Sequence, residues 1–398
     1  MIVRQFLHWV RTASAGERAE ATNALARAYL YSDLSSHDRA AAEGAMIMLL
    51  DDPSPLVRLA LAAVLASSDR APPALIYALA NDQPDIAVLV LAHSPLFIDA
   101  DLVDMVAIGS PQAQIAIARR PALPRSVAAA IAEVGADEAC LVLIENPDVD
   151  LALFSLDRIV DRFGHLATIR ETLLARADLP ALTRHALMTK LSQALVEFVA
   201  ARDWLDSAQA RRIVQEACEK GTVTLAAETH QGDLGPLVRH LRATGQLNAG
   251  LVLRALLSGN TALFEEALAD LSGVPLARVC SLVHDKGGAA FRALYDKAGL
   301  PASTWPAFRE AVDALREAVH FGEPGRGSRL KRRMIERVLT GCGDAALGDV
   351  EPFMTLLRRF ATEAAREEAR RYCEELVAEE VTVREALTYD MAGERVAA

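Results

Sequence analysis

Apolar positions in the first part of the chain come in short bursts, each opened by a polar turn. Asp51-Asp52-Pro53-Ser54-Pro55 leads into an apolar run at 56–62, and Asn81-Asp82-Gln83-Pro84-Asp85 into one at 86–92. Gly109-Ser110-Pro111-Gln112 leads into 113–118, and Gly135-Ala136-Asp137-Glu138 into 139–144, so the copies start 26 to 30 residues apart. A proline at the first helical position, after a serine able to cap, is the signature of a helix start. In the first copy Leu56, Leu59, Ala60, Ala63 and Val64 fall at i, i+3, i+4, i+7 and i+8, which predicts that they form the buried face. Further helices are predicted between the copies, at 73–80, 101–108 and 125–134, giving two helices per period. A helix of about ten residues is only about 15 Å long and marginal alone, so each hairpin must bury its apolar face on its neighbours. The expected fold is therefore all-α, an α-solenoid of stacked short helical hairpins with a C-terminal helical block.

The second half loses the Asp-Pro turn but keeps a rhythm. Gly245, Gly259, Gly273 and Gly287 are each 14 residues apart and Gly299 follows 12 later, as expected of glycines that end helices. Amphipathic stretches such as Phe264, Ala267, Leu268 and Leu271 lie between them. Two stretches rich in loop-forming residues suggest boundaries. Residues 219–236 hold Gly221, Thr222, Thr224, Thr229, Gly232, Gly235 and Pro236, and 320–328 pack three glycines and a proline into nine residues. The expected organisation is a repeat array at 1–218, a linker at 219–236, a helical block at 237–319 that continues the repeats, a hinge at 320–328, further helices at 329–387 and a disordered tail at 388–398. Phe353, Leu356, Leu357 and Phe360 form a stripe at i, i+3, i+4 and i+7, expected to pack back on the array, with self-association as the alternative. The pattern leaves the oligomeric state open.

Composition agrees with packed helices. The 398 residues include 74 Ala and 55 Leu, aromatics are 5%, and apolar residues are 52%. Five cysteines, odd in number and far apart, exclude a disulfide framework and a Cys-x-x-Cys motif, and fit a reducing cytoplasm. The N-terminal stretch is interrupted by charge too early for a secretory apolar region, and no run approaches the 18 apolar residues of a membrane span. The net charge of −11 argues against a dedicated nucleic-acid coat. The clearest repeats, 51–150, carry five basic against fourteen acidic residues, which repels phosphates.

The run Asp51-Asp52-Pro53-Ser54-Pro55-Leu56-Val57-Arg58 with Leu59-Ala60-Leu61-Ala62 resembles the turn and second helix of HEAT-type repeats, where aspartate and proline shape the turn and Val-Arg opens the inner helix. Leu91-Ala92-His93-Ser94-Pro95-Leu96, Ala116-Ile117-Ala118-Arg119-Arg120, the 253–260 stretch Leu-Arg-Ala-Leu-Leu-Ser-Gly-Asn and Phe264-Glu265-Glu266-Ala267-Leu268-Ala269 are similar to an alphaproteobacterial HEAT-like helical-repeat family of unassigned function. The likeness covers roughly 40–300 and implies fold far more than activity.

Candidate chemistry is sparse. The nine histidines form no His-Glu-x-x-His, and no metal or catalytic set is assigned. His284-Asp285 reads as a helix end, with His284 near the last carbonyls, and His93 as a half-buried residue facing the next repeat. Cys140, among apolar neighbours, reads as a small core residue. The glycine-rich stretch Gly322-Glu323-Pro324-Gly325-Arg326-Gly327-Ser328 lacks the Gly-Lys-Ser/Thr ending and a preceding strand, so it reads as a hinge rather than a phosphate loop, and no cofactor is implied.

The one marked charge feature is Arg326, Arg329, Lys331, Arg332, Arg333 and Arg337 against only Glu323 and Glu336. Such a cluster can hold nucleic-acid phosphates, an anionic membrane surface or an acidic partner; alternatively it is a solvated face that pairs with the acids of 363–380. With no catalytic constellation, the leading functional expectation is a cytoplasmic scaffold or adaptor that binds a protein partner through its repeat surface. The alternatives are nucleic-acid binding through 326–337, and a small-ligand sensor or enzyme with a site between the two halves.

Overall fold

A computed structural model describes residues 9–10, 12–202, 204–285, 288–320, 328–342, 354–355 and 357–374, so the expected hinge core at 321–327 and the tail at 388–398 lie outside the described residues. Among those described, every regular element is helical. Two compact units divide the chain between Leu191 and Ser192.

The first unit contains α1 (Ala15–Tyr31), α2 (Ser36–Leu49), α3 (Pro55–Leu65), α4 (Pro73–Ala80), α5 (Pro84–His93) and α6 (Asp99–Ile108). It continues with α7 (Pro111–Ala118), α8 (Arg125–Val134), α9 (Asp137–Glu145), α10 (Leu153–Phe163) and α11 (Ala167–Ala175), and α12 (Ala181–Ala200) runs across the division. The four turn-and-burst copies are α3, α5, α7 and α9. They pack in one file, α1 on α3, α3 on α5, α5 on α7, α7 on α9 and α9 on α11, while α6, α8 and α10 pack in a second.

The turns work through different groups than the sequence suggests. Ser110 caps α7 by accepting from the Ala113 N–H, but Ser54 makes no side-chain cap. Asp52 acts there instead: its carboxylate accepts the Ser54 N–H at 2.8 Å and a fork from Arg18, two bonds of 2.8 Å. Its carbonyl accepts from Arg58 at 2.7 Å, and Arg58 forks onto Asp82 of the next turn. The Arg18 bonds hold the Asp52 carboxyl below the usual carboxylate range, against burial and with help from the Ser54 N–H.

The same linkage recurs one period apart at helix ends, where carbonyls lack intrahelical donors. Arg120 donates to the Leu91 and Ser94 carbonyls at 2.7 and 2.6 Å, closing the end of α5. Asn146 donates to the Ala118 and Arg120 carbonyls, both at 2.9 Å, beyond α7. Arg162 donates to Ala132 and Gly135, both at 2.8 Å, at the end of α8, and Arg176 to Ile144 at 2.9 Å in α9. Successive hairpins are thus stitched by polar bonds as well as packed by apolar area.

Two expectations fail in this unit. The buried face of α3 is Val57, Leu61, Ala62 and Leu65, whereas Leu56 is 55% exposed and Ala63 is exposed. α3 is apolar nearly all round, so periodicity alone does not select a face, and the Arg58 link to Asp82 fixes its rotation. His93, expected half-buried, is exposed at the end of α5.

The second unit contains α13 (Ser207–Glu228), α14 (Gln231–Ala243), α15 (Ala249–Leu257), α16 (Thr261–Ser272), α17 (Leu276–His284), α18 (Ala289–Lys297), a 3-10 turn at Ala302–Thr304, α19 (Trp305–His320) and α20 (Ser328–Cys342), followed by helix at 357–374. The expected linker at 219–236 is helix, interrupted only at Thr229-His230. Thr222 and Thr224 bond back to the Cys218 and Lys220 carbonyls four residues earlier, and so satisfy their hydroxyls without leaving α13. Leu234, Leu237, Val238 and Leu241 are buried at i, i+3, i+4 and i+7, and this burial outweighs the backbone bond lost at Pro236 inside α14.

The glycine rhythm marks helix ends at four of its five positions, and the fifth, Gly287, lies outside the described residues. Gly245, Gly259, Gly273 and Gly299 have φ of 70°, 74°, 66° and 70° after α14, α15, α16 and α18, where an L side chain is strained. Phe264, Phe291, Tyr295 and Phe308 are fully buried, and the Tyr295 hydroxyl is satisfied by Thr304 at 2.6 Å. Leu357 and Phe360 pack into this core of the second unit; Phe353 and Leu356 lie outside the described residues.

Candidate functional site

The basic segment falls mostly on α20. Arg326 lies outside the described residues, and so do the side chains of Arg329, Lys331 and Arg333. Arg332 pairs with Glu336 at 2.8 Å and with Glu368 at 2.9 Å, and Arg337 pairs with Glu317 and, at 3.6 Å, with Glu310. Both guanidinium pKa values are raised, first by the bonds to Glu336 and Glu317 respectively. Arg337 in turn holds the Glu317 carboxyl below its usual range. For the two described side chains the paired, solvated face is what the geometry provides, and Glu368 comes from the acidic strip expected to supply it.

A second basic site was not anticipated, and it is built around α15. Residues 251–257 of this helix are all buried, so the one charged residue among them, Arg254, is carried inward and is 5% exposed. A charge so placed must be paired. Its Nη1 bonds Glu363 Oε2 at 2.7 Å, its Nε lies 3.9 Å from Glu219 Oε2, and its Cζ sits 4.2 Å from the Phe360 ring centre. Glu363 also meets Lys220 Nζ at 3.2 Å. Burial opposes ionisation of Glu363, but Arg254 and then Lys220 outweigh it and hold the carboxyl below its usual range. Beside this network Arg359 pairs with Glu216 of α13.

Above it opens a groove of about 630 Å³, walled by α13 on one side and by 357–374 on the other. Arg366, Arg370 and Arg371 stand on the 357–374 wall, all exposed and all without an ion pair among the described residues. Glu367 and Glu374 also line it, and no lining residue is aromatic. Among the described residues, the groove therefore carries three guanidiniums whose charge no carboxylate takes up. The signal is present in the sequence, since 357–374 holds five arginines against four glutamates, but its glutamates make it read as the acidic counterpart of the basic segment.

One cluster resembles catalytic machinery and lacks its chemistry. Glu265 bridges the Cys280 thiol at 3.1 Å and His284 Nε2 at 3.0 Å, so His284 faces α16 rather than its own helix end. Burial and then Glu265 push the thiol up to about 11, so Cys280 is a protonated donor and not a nucleophile at neutral pH. Cys140, buried as expected, is likewise raised to about 11, chiefly by burial. Among the described residues no group of three or more His, Cys, Asp or Glu is placed to hold a metal ion, and no helix is long and apolar enough to cross a membrane.

Residues 86–348 match a family described as "Uncharacterised protein conserved in bacteria (DUF2336)". Neither the curated proteins nor the solved structures yield a match to the chain.

Proposed function

We propose that this chain, which belongs to the DUF2336 family of bacterial proteins, is a non-catalytic scaffold or adaptor that binds a protein partner through a HEAT-like, solenoid-forming repeat surface, in the cytoplasm. The observation that carries this is the one-period register of the first unit. Helices from successive sequence copies pack in file, and a polar side chain about one period further on, Arg120, Asn146 or Arg176, donates to a carbonyl at the end of the helix before it each time. Such a register places equivalent surface positions side by side, which suits recognition of an extended partner. Ile108 and Val134 are an example: each is the last residue of its helix before a glycine, and they are 84% and 49% exposed. Apolar side chains left outside at repeating positions cost solubility unless something covers them.

The test is affinity capture of the tagged full chain from cell lysate, with and without nuclease, followed by mass spectrometry. Recovery of the same few proteins in both arms is expected. Loss of all captured protein on nuclease treatment would instead indicate nucleic acid and overturn the reading.

A further inference from the structure

We infer that the groove between α13 and 357–374 is a docking site for a carboxylate-rich segment of a protein partner, held by Arg366, Arg370 and Arg371. The inference deepens the adaptor reading and rests on it for the kind of partner. Six basic side chains line the groove, and the fold uses three of them: Arg254 and Lys220 on Glu363, and Arg359 on Glu216. The other three are left exposed on one wall, with no ion pair among the described residues.

Spacing indicates what they fit. Arg366 and Arg370 are one helical turn apart on one face, about 6 Å along the axis. In an extended peptide, alternate side chains point the same way about 6.8 Å apart. A strand with acidic residues at every second position thus offers its carboxylates at nearly the interval of the guanidiniums, and each fork takes a carboxylate in a bidentate pair. Arg371 lies on the adjoining flank and extends the same wall.

The groove suits nucleic acid poorly. Glu216, Glu363, Glu367 and Glu374 line it as well, the chain carries a net charge of −11, and a phosphate backbone brings charge too dense for three arginines. No aromatic side chain lines it for bases to stack on. A peptide with separated carboxylates can place each one beside an arginine and its uncharged residues beside the glutamates.

Fluorescence anisotropy on the full chain tests this, with a labelled peptide of alternating glutamate and serine as probe. The same peptide with glutamine for glutamate and a single-stranded DNA of matched charge are the comparisons. The acidic peptide should bind, the glutamine peptide should not, and affinity should fall as salt shortens the screening length. The double variant Arg366→Glu/Arg370→Glu, both exposed positions, should bind about tenfold more weakly or worse, with its thermal transition unchanged. Arg278→Glu, an exposed position of α17 outside the groove, should bind like the parent. Equal binding by the double variant overturns the proposal, and so does DNA bound more tightly than peptide through the same arginines. If the peptide fails to bind while captured proteins persist, the groove assignment falls and the adaptor reading stands. If the peptide binds but no protein is captured, the groove stands and the adaptor reading falls.

Discussion

Asp52 shows how one side chain can serve as turn, cap and link. It accepts the Ser54 N–H, takes the Arg18 fork and presents its carbonyl to Arg58, so one residue ties the turn geometry to the contact between α1 and α3. Its replacement by alanine leaves Arg18 partly buried without its counter-ion, and should lower the unfolding free energy by about 3 kcal/mol in urea titrations at pH 7. The pH dependence has a definite sign. The folded carboxyl lies below its unfolded value of about 3.9, so its contribution is complete above that value and is lost as pH falls through the folded one. Below about pH 4 the parent should therefore lose stability more steeply than Asp52→Ala, and the two curves should converge. Cys280 and His284 illustrate the converse at the same scale. Their meeting at Glu265 looks like a site, but the raised thiol makes it a structural bridge between α16 and α17.

At the scale of elements, the sequence announces helices most clearly where covalent chemistry limits the backbone. Pro73–Ala80 and Arg125–Val134 begin and end where the prolines and Gly135 indicate, and Gly245, Gly259 and Gly273 stop their helices in the left-handed conformation. What misled at 219–236 was composition. Thr, Gly and Pro suggest a loop, while the spacing of Leu234, Leu237, Val238 and Leu241 indicated a helix whose burial decides the outcome. Faces were less legible than elements, because α3 offers apolar residues on every side and the choice is made by Arg58 reaching Asp82. The links between hairpins give a direct test. Arg120 serves two carbonyls at once, which a lysine ammonium reaches poorly, so Arg120→Lys should lower the unfolding free energy by about 1 kcal/mol and Arg120→Met by about 2 kcal/mol in urea titrations. Full retention of stability by the lysine variant would show that charge alone matters there and not the fork.

At the scale of the whole molecule, the groove explains why its site stayed hidden in the sequence. Arg254 and Glu363 are 109 residues apart, and Arg359 and Glu216 are 143 apart, so no local spacing joins them. The segment that did stand out, 326–337, stood out because its charges are contiguous, and its described arginines are neutralised by glutamates from α19, α20 and 357–374. Contiguous charge in sequence and available charge in space are different quantities: glutamates interrupt the run that holds Arg366, Arg370 and Arg371, yet these three have no ion pair among the described residues. The repeat register behaves in the opposite way. It was legible from four polar turns, and it underlies the central claim that a protein partner lies along the surface of the first unit. The measurement that tests this most directly is photo-crosslinking from a benzoylphenylalanine placed in turn at Ile108 and Val134, equivalent exposed positions one period apart. The account predicts that both positions trap the same protein; capture of a partner that crosslinks at neither position would contradict it.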